Sequence, residues 1–257
     1  MKDIHGASRP ARILIIAGSD SSGGAGIQAD IKTVTMLGGH AMTAVTAITA
    51  QNSRGVHGVH PVPTQMVLDQ IEACMSDIGV DAVKIGMIGS AETAQAVAEM
   101  LTGLGESISI VLDPVMVAKG GDRLLQEEAT EILRSTLIPL AKVVTPNRYE
   151  AEVIVGHEVK DLDDARDAAK EIVDMGASVV VVKGGHIDGP ATDILFDGKE
   201  FRAFTAPRLV TTNTHGTGCT LSSAIATFLS CGKPLKKSCE LGTKYVNQAI
   251  GSNLNYG

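Results

Sequence analysis

The chain has 257 residues, 44% hydrophobic but only 3% aromatic and without tryptophan, so its core must be aliphatic. A formal net charge of -7, with no block of like charges, argues against a nucleic-acid-binding or membrane-binding face. The opening MKDIHGASRP lacks an apolar signal core, no apolar run reaches transmembrane length, and Cys74, Cys219, Cys231 and Cys239 show no CxxC spacing; the expectation is a reduced, soluble, cytoplasmic protein without zinc or a disulfide framework.

From Arg12 onward, short β-branched runs alternate with helix-like segments. RILIIAG (Arg12–Gly18) reads as a buried strand, and GIQADIKTVTMLGG as a helix with Ile27, Ile31, Val34 and Leu37 on its inner face. AMTAVTAIT is strand-like and TQMVLDQIEACMSDI an amphipathic helix. The alternation continues through DAVKIGMIG, ETAQAVAEML, SISIVLDPVMVA, KVVTPN, DLDDARDAAKEIVDMG and SVVVVKGGH. This rhythm predicts an α/β fold, a mostly parallel sheet with helices on both faces. ATDILFDGKEFRAFTAP departs from it, with two alternating arms around Asp197-Gly198 that predict an antiparallel hairpin. NTHGTGCT then runs straight into the apolar helix LSSAIATFL. One domain over residues 12–257 is expected, after an N-terminal extension over 1–11.

In such a sheet ligands gather at the carboxyl ends of the strands. GSDSSGGAG is the first loop there, with Asp20 as an acceptor or charge, and GAGIQA inside it matches G-x-G-x-x-A. A dinucleotide site would need an acidic residue roughly 20 positions on, whereas the next strand-like run ends in Gln51 and Asn52. Gln51 can donate and accept at once, which suits a heterocycle, or it is an ordinary polar loop residue. Asp113, Asn147 and Glu150 lie at later strand ends; the last two fit a helix capping box and, with Asp113, equally a hydrated magnesium ion. Lys183 closes a buried strand as a point charge for phosphate, and Gly216, Thr217 and Gly218 present backbone amides at a helix start, the usual anion site. No G-x-x-x-x-G-K-[ST] occurs, and HGVH (His57–His60) is expected to be a solvent-facing loop rather than a metal site. Cys219, closing the glycine turn, can be nucleophile, base, ligand or merely a small side chain that fits; a helix start can lower a thiol pKa and make it a base, or the anion hole and Lys183 matter more than the thiol.

Taken together, GSDSSGGAGIQAD, TAQNSRG, KIGMIG, VLDPVM, TPNRYEAE, VKGGH and NTHGTGCTLSSAIA, in this order from about Arg12 to Ala249, resemble the hydroxymethylpyrimidine/phosphomethylpyrimidine kinases of thiamine biosynthesis, in the ribokinase superfamily. The resemblance implies a ribokinase-like three-layer sandwich, ATP and magnesium as cofactors, a pyrimidine alcohol as substrate, and a homodimer. By the same resemblance Gln51 reads the pyrimidine edge, and Gly18, Asp20, Met87 and Val115 line its pocket. Glu150, Asn147 and Asp113 hold magnesium, Lys183, Asn147 and Thr217 meet ATP, and the Gly216–Gly218 amides with Cys219 and Lys183 serve the transfer. Many ribokinase-like enzymes carry aspartate where this chain has Cys219. The family normally adds a glycine-rich closing segment where this sequence reads SNLNYG. Two rival readings are a pyridoxal kinase, which would face a different ring edge at Gln51, and a non-catalytic pyrimidine sensor.

Overall fold

The structure is a computed structural model that describes residues 9–105, 108–116, 127–209, 211 and 213–252. Residues 1–8 of the extension, the end of SISIVLDPVMVA and all but the first residue of SNLNYG lie outside that set.

Nine strands among the described residues form one sheet in the order β3-β2-β1-β4-β5-β6-β7-β8-β9. They are β1 (Arg12–Asp20), β2 (His40–Asn52), β3 (Gly55–Pro61), β4 (Ala82–Ile85), β5 (Ser109–Leu112), β6 (Val143–Val144), β7 (Val179–Val182), β8 (Ala191–Phe196) and β9 (Phe201–Ala206). Pairing is parallel from β2 across to β7 and antiparallel at both edges. The β8–β9 hairpin forms as its sequence predicts, with Phe196 opposite Phe201 and the Asp197 carboxylate accepting the Lys199 and Glu200 amides of the turn. HGVH is not a loop: it lies in the edge strand β3, exposed as expected but paired with β2. Its short polar alternation carried too little apolar contrast to mark a strand.

The helices are α1 (Gly26–Met36), α2 (Thr64–Asp77), α3 (Ala91–Thr102), α4 (Glu127–Ile132), a π-turn (Leu133–Leu137) running into α5 (Ile138–Leu140), α6 (Arg148–Val155), α7 (Leu162–Asp174), α8 (Thr217–Ser230) and α9 (Leu235–Gly251). Alternation along β1 assigns them to two layers, because successive side chains of a strand point to opposite faces. Leu14 and Ile16 pack with Ile71 of α2, Val97 of α3 and Ala168 of α7. Ile13 and Ile15 pack with Val34 of α1, Leu221 and Ile225 of α8 and Cys239 of α9. A sheet buried on both faces accounts for near-continuous runs such as VVVV in β7, every residue of which is buried.

One detail of α1 departs from the sequence reading. Ile31 is 37% exposed, and Asp30 turns inward beside Ile27 and Val34. Its carboxylate meets Lys84 of β4 at 2.8 Å, and both side chains are fully buried. Ser223 of α8 donates to the other Asp30 oxygen at 2.7 Å. Three elements thus join at one buried charge pair beneath the carboxyl ends of the strands.

Candidate active site

The strand order reverses direction at β1, which sits between β2 and β4. A crevice opens at such a point outside the carboxyl ends of the strands. A cavity of about 720 Å³ lies there, and every site residue predicted from the sequence borders it. β1, β2 and β4 deliver Gly18, Asp20, Gln51 and Met87 to one side; β5, β6 and β7 deliver Asp113, Val115, Asn147, Glu150 and Lys183 to the other. The start of α8 brings Gly216 to Cys219.

On the first side, Gly18 lies close under Met87: a Cβ would come 2.2 Å from the Met87 methyl carbon, and the methionine would have to swing aside. The Gln51 carboxamide accepts from Thr49 at 3.0 Å, and its backbone is held by reciprocal bonds with Ser21, both 2.9 Å. Asp20 is only 2% exposed. Its oxygens accept from the Ser22 amide and hydroxyl, the Ala25 amide and His215 Nε2, all within 3.1 Å. Burial works against this carboxylate, but those donors outweigh it and hold its pKa below the usual range. Asp20 is therefore saturated by the protein itself: it shapes the loop and has little left to offer a ligand.

On the second side, Lys183 Nζ lies 2.8 Å from Asp113 and 3.6 Å from Glu150. Burial disfavours its charge, yet the two carboxylates more than compensate and keep it protonated. A Cβ on Gly218 would come 3.1 Å from Lys183 Nζ, so the lysine lies directly against the glycine turn. Asn147 and Glu150 form a full capping box at the start of α6: Asn147 Oδ1 accepts the Glu150 amide at 3.0 Å and Glu150 Oε2 accepts the Asn147 amide at 2.7 Å. Burial pushes the Glu150 carboxyl up to about 7, with Lys183 opposing. Capping leaves its second oxygen available, and an added cation would relieve the cost of burying its charge. No group of three or more His, Cys, Asp or Glu arranged for a metal occurs among the described residues. Two carboxylates suit magnesium, which keeps its waters and shares phosphate ligands, better than an ion needing an all-protein cage.

α8 starts at Gly216 in the left-handed region (φ 76°), with no side chain capping its first turn. A Cβ there would run into the Gly24 carbonyl oxygen at 1.8 Å, so the position requires glycine twice over. The Thr217 amide makes only a long 3.4 Å bond to Thr214 O. Uncapped amides at a helix start, with a lysine alongside, make an anion site. Of the two options for Cys219, the environment favours the one without a thiolate base. Surrounding protein pushes it up to about 12, although Lys84 beneath pulls the other way. Desolvation is the largest cause, and the carboxylates of Asp30 and Asp113 add to it.

Charged and aromatic-ring residues in and beneath the cavity escaped the sequence reading. Lys84 interrupts the otherwise apolar AVKI, and Asp30 lies between Ile27 and Val34; two charges on two inner faces were the available signal for a buried pair. His186, tilted against Tyr149 with ring centroids 5.1 Å apart and planes at 48°, and Arg208, which donates to carbonyls of Gly185, Ile187 and Gly189, carry no motif.

Known proteins share this sequence and fold. The chain is 51% identical over 239 residues to the thiamine biosynthesis bifunctional protein ThiED of Geobacter sulfurreducens, covering 93% of this chain and 49%, about half, of that protein's length. It is 46% identical to a hydroxymethylpyrimidine/phosphomethylpyrimidine kinase of Streptomyces coelicolor, covering 96% of this chain and 91% of that one. Among solved structures, the phosphomethylpyrimidine kinase of Clostridium difficile 630 superimposes with a TM-score of 0.82 at 43% identity, covering 93% and 99% of the two chains. A Staphylococcus aureus pyridoxal kinase in complex with pyridoxal superimposes at 0.88 with 35% identity, covering 96% and 91%. The phosphomethylpyrimidine kinase family profile matches residues 20–257, and with these relatives it places the chain in that family.

Proposed function

We propose that this chain is a magnesium- and ATP-dependent kinase acting on 4-amino-5-hydroxymethyl-2-methylpyrimidine and then on its monophosphate, yielding the diphosphate used to build thiamine. The observation that carries the reading is the two-sided cavity: Gln51, Met87 and Gly18 on one wall, Lys183 and the Gly216–Gly218 turn on the other.

In this reading Gln51 meets the amino and ring-nitrogen edge of the pyrimidine, and Met87 and Val115 bound its ring. Lys183 and the amides of Gly216, Thr217 and Gly218 take the charge that builds on the transferring phosphoryl oxygens. Asn147, Lys183 and Thr217 face the ATP phosphates. Asp113 and Glu150, with Asn147 nearby, would hold magnesium through its waters, and the ion would neutralise the donor phosphates. Phosphoryl transfer passes through a loose transition state, so placement and charge matter more than a strong base. A Cys219 thiol pushed up to about 12 suits that scheme as a small neutral wall of the anion site. The domain spans 12–257, and a cytoplasmic homodimer is part of the same proposal, with sedimentation velocity to test the dimer.

The experiment is ADP release with MgATP and either hydroxymethylpyrimidine or pyridoxal, with products identified by mass. A pyrimidine diphosphate is the expected result. Pyridoxal phosphate alone would move the protein to the pyridoxal-kinase reading, which the 0.88 superposition favours and the higher identity to pyrimidine kinases opposes. ADP release with neither acceptor added would leave only nucleotide hydrolysis.

A further inference from the structure

The second transfer sets a demand the first does not. The acceptor changes from a neutral alcohol to an anionic monophosphate, which needs a donor of its own on the acceptor side. Most cations bordering the cavity are committed. Lys183 faces Asp113 and Glu150, and Lys84 is fully buried against Asp30. Arg208 donates through Nε and Nη1 to the Gly189 and Gly185 carbonyls, both at 2.8 Å, and through Nη2 to Ile187 O. His186 is held neutral by burial and by the nearby positive charge of Lys183.

His215 is different. It stands immediately before Gly216, between the β1 loop and the anion turn, with its side chain only 8% exposed. Nε2 is 2.8 Å from Asp20 Oδ2. The ring's Cδ2 edge lies against Gly24, where a Cβ would come within 2.5 Å. Nδ1 has no hydrogen-bond partner among the described residues, yet no buried side-chain polar atom there lacks one. Nδ1 therefore reaches the open cavity. With Nε2–H given to the Asp20 carboxylate, Nδ1 is the ring's remaining hydrogen-bonding position, a donor in the imidazolium form.

We propose that His215, oriented by Asp20, is the acceptor-side phosphate ligand and so determines whether the site performs its second transfer. This rests on the pyrimidine-kinase reading above. In that step an oxygen of the bound monophosphate forms the new P–O bond to the γ-phosphorus while the bond to the departing ADP oxygen breaks. His215 makes and breaks no covalent bond; its Nδ1–H holds the acceptor phosphate in line. Asp20 acts through His215 and is a positioning residue.

The test compares kcat/KM for the alcohol and for the monophosphate in wild type, His215→Gln and Asp20→Asn. Losing one charge-assisted hydrogen bond should lower the monophosphate-to-alcohol ratio about 10- to 100-fold in His215→Gln, chiefly through KM for the monophosphate. Asp20→Asn should move the ratio the same way by less. In wild type carrying labelled histidine, the His215 imidazole resonance should shift when the monophosphate is added without ATP, and stay in place with the alcohol. An unchanged ratio, or an equal fall for both acceptors with a raised KM for ATP, would mean that His215 supports the loop or the donor phosphate, and would overturn the assignment. A wild-type enzyme that phosphorylates neither pyrimidine would instead sink the functional reading, and that outcome is visible before any variant is made.

Discussion

Cys219 stands where two physical effects oppose each other, and burial wins. With the thiol pushed up to about 12, almost none of it is thiolate at neutral pH. Cys219→Ser should then keep turnover within about 10-fold of wild type, whereas Lys183→Ala, which strips charge from the developing phosphoryl oxygens, should lose on the order of 100-fold or more in kcat. Steady-state kinetics decides it, and a serine variant as crippled as the lysine variant would restore the thiol as base. Glu150 offers a pH signature at the same scale. Its folded pKa is raised to about 7 from an ordinary 4.5, so between those values the folded state holds a proton that the unfolded chain has released. Stability from this group is complete below 4.5 and is lost as pH rises through about 7. Glu150→Gln should melt a few degrees above wild type at pH 8, with the gap closing toward pH 5, while losing activity. Differential scanning calorimetry at the two pH values tests the sign. These directions were not legible in the sequence, because they are set by burial in the folded chain and by charges as distant along it as Asp30 and Lys84 are from Cys219. The placement of the residues was legible: Gln51, Lys183 and Gly216–Gly218, each ambiguous alone, stood out as a set at the strand ends, and all border the cavity.

α8 shows how an element can be specified by what it omits. Its N-cap is a glycine at φ 76° with no capping side chain, so first-turn amides stay open where most helices close them with a serine or aspartate. Gly216→Ala should cost about 1–2 kcal/mol for the left-handed backbone alone, and more as the new methyl displaces Gly24. It should also raise KM for ATP by separating the turn from Lys183; urea melts and ATP kinetics test the two effects. The sequence marks this element plainly, because glycines followed by an apolar run leave few alternatives. It marks the parallel strands equally well, because double-sided burial forces β-branched runs such as VVVV. It marks β3 poorly: an exposed edge strand needs no apolar alternation, and only its ladder with β2 reveals it. α9 is likewise faint, since LKKSCELGTKYVNQAIG buries Cys239, Gly242 and Thr243 rather than a large apolar stripe.

Two aliphatic layers close over one sheet, and the fully buried Lys84–Asp30 ion pair ties the α1 and α8 side to β4. Lys84 and Asp30 are both fully buried at 2.8 Å, and Ser223 takes the remaining carboxylate oxygen. Such a pair contributes little net stability over a hydrophobic replacement, because desolvation cancels most of its Coulomb attraction. Removing one partner is a different matter, since the other charge is left buried and alone. Lys84→Met and Asp30→Leu should each destabilise the fold by roughly 3–5 kcal/mol. The double variant should recover most of that loss, with Ser223 left to find a backbone acceptor. If the pair served only stability, the recovered double variant would also recover activity. The pair lies directly beneath Cys219 and the glycine turn, so its charge belongs to the field of the phosphate site as well as to the core. Equilibrium urea unfolding should therefore show a near-native double variant, while its kcat stays well below wild type. Equal recovery of both would reduce Lys84 and Asp30 to a clamp between layers, and failure of either to recover would show that α1 and α8 cannot repack without the charge.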